Sequence, residues 1–393
     1  MRILIVTDTY HPHVNGSSSF NQRLAKGLLT MGHDVLVIAP SETFRMEERI
    51  HDGVRIFGVR SLPILSYGYR YAPRLFSKRA LTKVIDDFKP DVIHFNSHFS
   101  PNTTVLSIAK KRCIPFFASN HFIPDNLLPY LHVPSFLLPL ARKLFWWPFR
   151  HVYEEFDCVC TPTKSAANYI RPHARFKRLV WNSNGIDTKR FHPTNDPSHI
   201  RETLLLDTTR PSLLFVGRLD REKHVSVILR AMSRLPNEIP CQLLIAGRGS
   251  DEPALHALTN ELFLNDRVRF LGFVSDDDLP FLYAHATAFV IASLAELQSI
   301  ATLEAMATGK PVIGANALAL PELIQDGVNG YLYPPDDEKA LAEGIQKLLS
   351  DPQKREDMGK KSRMIAESHD IKESLKRFVS FYQELTSTPS QSS

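Results

Sequence analysis

Four cysteines in 393 residues, Cys113, Cys158, Cys160 and Cys241, are too few for a disulfide scaffold. Cys158 and Cys160 lie in an apolar, strand-like run, and no second Cys/His pair stands nearby at zinc-site spacing. All four read as reduced core or near-core residues. No run approaches the ~18 consecutive apolar residues of a membrane-spanning helix. The opening MRILIVTDTYHP has a charge and a short apolar run, but Asp8 ends it too early for a signal peptide, so a cytosolic protein is expected. No G-x-G-x-x-G follows that first strand, which argues against a nicotinamide-dependent dehydrogenase. The net charge of +5 is small, and the basic residues follow no recognition-helix or zinc-module pattern, which argues against nucleic acid as a partner. A D-x-D placed after a strand to hold a divalent ion is also missing. Asp276-Asp277-Asp278 follows Ser275 and reads instead as the acidic first turn of a capped helix.

A hydrophobic content of 43% and a charged content of 23% are those of an ordinary globular protein, and the length suits two domains. Short apolar strands alternate with helices. In the first half the strands are Ile3–Val6, Asp34–Ala39, Val92–Phe95, Pro115–Ser119, Cys158–Thr161 and Leu179–Trp181. Helices are expected at Phe20–Met31 and Leu81–Phe88, with another closing at Ala109–Arg112. The pattern restarts with strands at Leu213–Val216, Gln242–Ala246, Val268–Phe270, Ala288–Ile291, Val312–Gly314 and Gly330–Leu332. Continuously apolar strands in strand–helix alternation predict parallel sheets covered on both faces. The turn-rich stretch Asn184–Thr194 divides the halves. The expected organisation is a first Rossmann-like domain over 1–184, a second over 185–369, a C-terminal helix over 370–385 and a disordered tail over 386–393.

The densest signal is SLAELQSIATLEAMATG, from Ser293 to Gly309. It places Glu296 in a loop and Glu304 two turns into the following helix, eight residues apart. The free N–H groups of the first turn, at Ser299 and Ile300, favour an anion at the same spot. Acids near helix N-termini also occur simply to complement the dipole, so the pair alone leaves both readings open. Then come Pro311-Val312, Pro321-Glu322, Gly327 and Gly330. This order resembles the donor-binding end of the family 4 retaining glycosyltransferases, whose signature is E-x7-E within an EAMA-G-PV segment followed by a PE…G…G turn. Asn184-Gly185-Ile186-Asp187 with Phe191 and Pro193 is similar to the hinge of the same family.

The resemblance implies an α/β GT-B fold, two Rossmann-like parallel-sheet domains facing a cleft, the first (1–184) binding the acceptor and the second (185–369) the nucleotide sugar, with the C-terminal helix returning to the first. It further implies a donor site for a nucleotide diphosphate sugar. Arg218 and Lys223, in the turn after Leu213–Val216, resemble the family's diphosphate clamp and would replace a metal. The family has Gly after that Lys; His224 stands here. The plainer reading pairs Arg218 and Lys223 with Asp220 or Glu222. Gly247 belongs to a G-x-G-like turn, and Gly16 lies in the loop Asn15–Ser19, where the family is richer in glycine. His121, closing a strand in the first domain, would face the donor sugar, Glu296 would hold the other side of the ring, and Glu304 the ribose hydroxyls. No cofactor or metal is expected.

Between Ser135 and Phe156, Arg142, Lys143 and Arg150 interleave with Phe145, Trp146, Trp147 and Phe149. Such a stretch suits an anionic membrane surface. It suits equally a core-packed segment with cationic edges, and Pro139 and Pro148 are expected to break any long helix there. The preceding residues from Asn120 to Leu127 are similar to the diacylglycerol-glycosylating branch, which implies a glycolipid acceptor and attachment to the inner face of the membrane. A soluble acceptor, or a non-catalytic nucleotide-sugar or lipid-surface scaffold, are the alternatives. UDP-glucose and GDP-mannose fit the sequence alike as donors.

Overall fold

The computed structural model describes residues 1–13, 16–64, 70–125, 134–236 and 238–387. The chain forms two compact units. One comprises Met1–Asn184 together with Lys372–Ser393, and the other Gly185–Ile371.

The first unit begins with β1 (Arg2–Val6), α1 (Gly16–Thr30), β2 (Asp34–Pro40), β3 (Glu47–His51) and β4 (Val54–Val59). It continues through β5 (Leu62–Pro63), β6 (Arg70–Tyr71), α2 (Arg74–Phe88), β7 (Val92–Phe95), α3 (Asn102–Arg112) and β8 (Phe116–Ser119). Next come α4 (Leu138–Tyr153), β9 (Cys158–Thr161), α5 (Lys164–Ile170) and β10 (Leu179–Trp181). Its main sheet has the order β10-β9-β8-β7-β1-β2-β4-β3, parallel except at the β3 edge. Ile3–Val6 and Val92–Phe95 are wholly buried, as strands covered on both faces must be. The β3–β4 hairpin has no counterpart among the strands the sequence predicts. Its edge strand alternates half-buried with exposed residues, a two-faced pattern unlike the continuous apolar runs elsewhere.

The second unit runs α6 (Ser198–Thr203), β11 (Ser212–Val216), α7 (Val225–Ser233), β12 (Gln242–Ala246), α8 (Glu252–Glu261) and β13 (Val268–Gly272). It then forms α9 (Leu279–His285), β14 (Ala288–Ile291), α10 (Ile300–Ala307), β15 (Val312–Ala315), α11 (Leu320–Leu323) and β16 (Gly330–Tyr333). Helices α12 (Glu338–Ser350) and α13 (Pro352–Glu367) follow. All six strands are parallel, in the order β13-β12-β11-β14-β15-β16.

The last helix, α14 (Ile371–Ser387), packs on the first unit, as the resemblance implied. Phe378 meets Phe20 edge-on at 5.9 Å, Tyr382 hydrogen-bonds the buried His94 at 2.5 Å, and Leu375 fills the space beside Gly27. Thr386 and Ser387, expected in the tail, are helical; 388–393 lie outside the described residues.

Four further local expectations change. Gly16–Ser19 form the first turn of α1 rather than a loop, and Asn15 lies outside the described residues. Helix α4 runs unbroken through Pro148, because Pro139 sits in the first turn, where N–H groups have no helical partner, and Pro148 removes a single bond on an exposed face. Cys113 is exposed: it caps α3 in the left-handed region, beyond the packed face of the helix. Asp276–Asp278 form a turn before α9, in which the Ser275 hydroxyl accepts from the Asp278 N–H at 3.1 Å.

Candidate active site

In the second unit the predicted residues gather at the carboxyl ends of β11, β12 and β14, where open α/β sheets bind ligands. After β11 the chain turns through Gly217 to Lys223. Its N–H and C=O groups at Leu219 bond Arg248 and Asp251, zipping this turn to the one after β12. Gly247 makes that approach possible: its φ is +138°, and a Cβ there would lie 1.8 Å from the Gly217 carbonyl oxygen. Asp220 braces both turns. Its carboxylate accepts from the Ser250 N–H and hydroxyl at 3.1 and 2.9 Å and pairs with Arg218 at 2.5 Å. Arg218 also reaches Glu222 at 2.7 Å, so the pairing with neighbouring acids is realised for this residue.

Lys223 goes elsewhere. Its ammonium donates to Glu296 Oε1 at 2.7 Å across 73 residues of sequence. Burial alone would raise the Glu296 carboxyl and lower the Lys223 ammonium. Their mutual attraction outweighs it, holding Glu296 below the usual carboxylate range and Lys223 above its ordinary value. Both therefore remain charged in a half-buried setting.

Helix α10 starts as its sequence dictates. Ser299 is the N-cap, its hydroxyl accepting from the Thr302 N–H at 3.2 Å, and Ile300 opens the first turn. Glu304, one turn further, accepts from the Tyr283 hydroxyl at 2.9 Å. Tyr283, on α9, is fully buried; nothing in the local spacing pointed to it. Asp220, a surface partner in the plainer reading of the sequence, is buried and acts as a structural brace of the site. His224 adopts φ +49°, the left-handed conformation that explains a glycine preference there, and is held by Asp336 at 2.8 Å.

In the first unit, His121 follows β8 and packs against Phe20 at 4.3 Å. Burial, with the nearby charge of Arg23, lowers it to about 4, so the imidazole is neutral. Its Nε2 has no partner among the described residues. Gly16 starts α1 with open space beside it.

The aromatic–basic stretch divides between two faces of α4. Trp146 is not a surface residue: it stacks on His173 at 3.6 Å, meets Phe149 at 4.9 Å and donates its indole N–H to Asp125. Asp125 also receives Arg142 at 2.7 Å and the Tyr169 hydroxyl. Trp147 is 66% exposed, and Leu140 and Leu144 stand out beside it at positions that share one helical face. Lys143 and Arg150 are exposed, the latter paired with Glu154. Among the described residues no helix is long and apolar enough to cross a membrane, and no group of three or more His, Cys, Asp or Glu is arranged to hold a metal ion.

Comparison with known proteins bears on both units. The family described as "Glycosyltransferase Family 4" matches residues 14–190, and "Glycosyl transferases group 1" matches residues 197–364. A GDP-mannose-dependent alpha-mannosyltransferase of Mycolicibacterium smegmatis is 30% identical, covering 89% of each chain. The sulfoquinovosyl transferase of Arabidopsis thaliana is 27% identical over 93% of this chain and 70% of its own. The alpha-monoglucosyldiacylglycerol synthase of Streptococcus pneumoniae is 26% identical over 91% of this chain and 80% of its own. Among solved structures, a sucrose-phosphate synthase of Thermosynechococcus elongatus superposes with a TM-score of 0.79 at 22% identity, covering 98% of this chain and all of its own.

Proposed function

Because the chain belongs to the glycosyltransferases of GT-B fold, enzymes that move a sugar from a nucleotide donor to an acceptor, we propose that it is a retaining, metal-independent hexosyltransferase acting on a membrane glycolipid. The observation that carries the donor half is the Lys223–Glu296 pair at the mouth of α10. Lys223 and Arg218 supply two cations for the donor diphosphate, and Glu296 is left to hold the transferred sugar as Lys223 turns to phosphate. Glu304, oriented by Tyr283, takes the ribose hydroxyls. His121, neutral, is free to hydrogen-bond sugar hydroxyls. In the reaction the C1–O bond to diphosphate breaks and the C1–O bond to the acceptor forms on the same face. The acceptor's proton passes to the departing diphosphate, whose charge Lys223 and Arg218 stabilise.

The outward face of α4 supports a lipid acceptor. Leu140, Leu144 and Trp147 with Lys143 and Arg150 have the composition of an interfacial helix. The relatives' names differ in the sugar (mannosyl, sulfoquinovosyl, glucosyl), so UDP-glucose and GDP-mannose are both kept as donors. A soluble or polysaccharide acceptor is the alternative. The deciding assay offers each donor with diacylglycerol and with a neutral glycosyldiacylglycerol in anionic vesicles, and with soluble sugars, with and without EDTA. Lipid product that keeps the donor's anomeric configuration, at a rate indifferent to chelator, is expected. An inverted product, or a rate restored only by Mg²⁺ or Mn²⁺, overturns the mechanism; transfer to soluble sugars alone overturns the lipid acceptor.

A further inference from the structure

The donor groups occupy the carboxyl ends of the strands in the second sheet. At the opposite end, the amino ends of the neighbouring strands β11, β14 and β15 gather basic side chains that none of the assignments above uses. Arg201 comes from α6, His285 is the last residue of α9, and Lys310 precedes β15. Ser212, the first residue of β11, joins them. The five residues of β11, roughly 15 Å, separate this cluster from the turn that carries Arg218 and Lys223.

Hydrogen bonds fix how each group is presented. The Arg201 Nε–H donates to His285 Nδ1 at 3.2 Å, so that nitrogen is the unprotonated one. Nε2 then carries the ring hydrogen and donates to the Ser212 hydroxyl at 3.1 Å. Burial, with the charges of Arg201 and Lys310, lowers His285 to about 4 and keeps the ring neutral. Lys310 donates to the carbonyl of Ala284, the neighbour of His285, at 2.8 Å. Two cations are thus mounted on adjacent residues in the last turn of one helix. Neither has an ion pair among the described residues, where the Arg201 Nη groups also have no acceptor. Asp207, the acid whose charge reaches His285, is taken up by Arg210 and Thr209. The carbonyl end of α9 accounts for one cation but not for a second beside it. Burial and the charge of Arg201 lower Lys310 to about 8, the mark of two cations with no anion between them.

We propose that Arg201 and Lys310 form a binding site for a phosphate group, with His285 holding the Arg201 fork in position. The two Nη groups make a planar fork that takes two oxygens, and the ammonium supplies a further donor from another element. A carboxylate has only two oxygens, both occupied by the fork, whereas a phosphate keeps a third for Lys310. The His285 lone pair is already taken by Arg201, so the cluster presents donors alone and suits a group that accepts. Arg201 and Lys310 are half-buried, which leaves them open to an ion from solvent. Free phosphate and the phosphomonoester of a larger molecule share this chemistry. The site is independent of the transferase reading.

The test is calorimetric titration of the full-length protein at constant ionic strength with inorganic phosphate, glycerol 3-phosphate and acetate. Wild type is compared with Arg201→Gln and Lys310→Gln, whose amides keep a donor for His285 and Ala284 but lose the charge. Lys223→Ala, which removes a cation from the donor site, is the control. Phosphate affinity should fall about tenfold in each glutamine variant, the size of one charge-assisted contact, and survive in Lys223→Ala. The tighter of inorganic phosphate and glycerol 3-phosphate identifies the source of the group. The proposal is overturned by wild type that binds neither, by acetate binding as tightly as phosphate, or by unchanged affinity in the glutamine variants. A loss in Lys223→Ala as large as theirs also overturns it, since the ion then sits at the donor site. Should a glutamine variant fail to fold, wild type alone decides through acylation by acetic anhydride, read by peptide mass spectrometry. Phosphate at about four times its Kd should slow labelling of Lys310 about fivefold, the ratio of total to free protein, and leave the exposed Lys361 unaffected. Labelling of Lys310 that is indifferent to phosphate overturns the proposal.

Discussion

His224 pairs an unfavourable backbone with a favourable contact. Its left-handed φ of +49° costs a non-glycine residue on the order of 1 kcal/mol, and the exposed pair with Asp336 returns little of it. His224→Gly should therefore raise stability by about 0.5–1 kcal/mol, read as a higher urea midpoint at constant slope, while the neighbouring Lys223 keeps its place. At Lys223 the cost is functional. Lys223→Ala should lower kcat/KM by about 3 kcal/mol of transition-state stabilisation, the scale of one preorganised electrostatic contact, as steady-state kinetics can measure. Tyr283→Phe acts more gently. It removes one of the contacts that orient Glu304, so the donor KM should rise about fivefold with kcat nearly unchanged, the size of one hydrogen bond. A matching fall in kcat would mean that Glu304 serves the reacting sugar and not the nucleotide.

At the scale of the element, α4 shows what composition can and cannot tell. Aromatics interleaved with cations fit an interfacial helix and a buried one equally, because composition does not say which face turns inward. The fold separates Trp146, stacked on His173, from its neighbour Trp147, and ties Arg142 to Asp125. The release variant should accordingly spare both Trp146 and Arg142. Lys143→Glu with Trp147→Ser is expected to abolish sedimentation with anionic vesicles without lowering the melting temperature, since each cation contributes about 1 kcal/mol at such a surface and a buried Trp more. Binding that persists at high salt in the variant would place the membrane contact elsewhere. The β11–α7 turn and the α10 N-terminus were readable for the opposite reason: strand, turn and cap lie within a few residues of one another. The pairs Lys223–Glu296 and Tyr283–Glu304 are not readable in this way, because the first is set by the adjacency of β11 and β14 in the sheet and the second by the packing of α9 against α10, neither of which spacing shows. The β3–β4 hairpin was missed because its edge strand carries the charges of Glu47, Glu48 and Arg49 where a buried strand would carry apolar residues.

Across the whole molecule, buried imidazoles dominate the response to acid. Burial lowers His98, His121 and His285 to about 4 and His94 well below its ordinary value. Between about pH 6.5 and 4 the unfolded chain takes up a proton at each of these sites that the folded chain refuses, so stability falls as the pH falls through that window. Asp8, raised by burial to about 6, is protonated in the folded chain first and partly offsets the loss. The melting temperature should therefore be several degrees lower at pH 5 than at pH 7, and His98→Phe should flatten the slope by one proton. Equal midpoints at the two pH values would show that these imidazoles titrate normally.

The return of α14 to the first unit also sets a timetable for synthesis. The strands carrying His94 and Phe117 leave the ribosome before all of Gly185–Ile371, and the helix that covers them with Phe378, Phe381 and Tyr382 follows only afterwards. At 5–20 residues per second that interval is roughly 10–40 s. During it the second unit, continuous in sequence, is able to complete its fold, while the first keeps an aromatic surface open to chaperones or to other nascent chains.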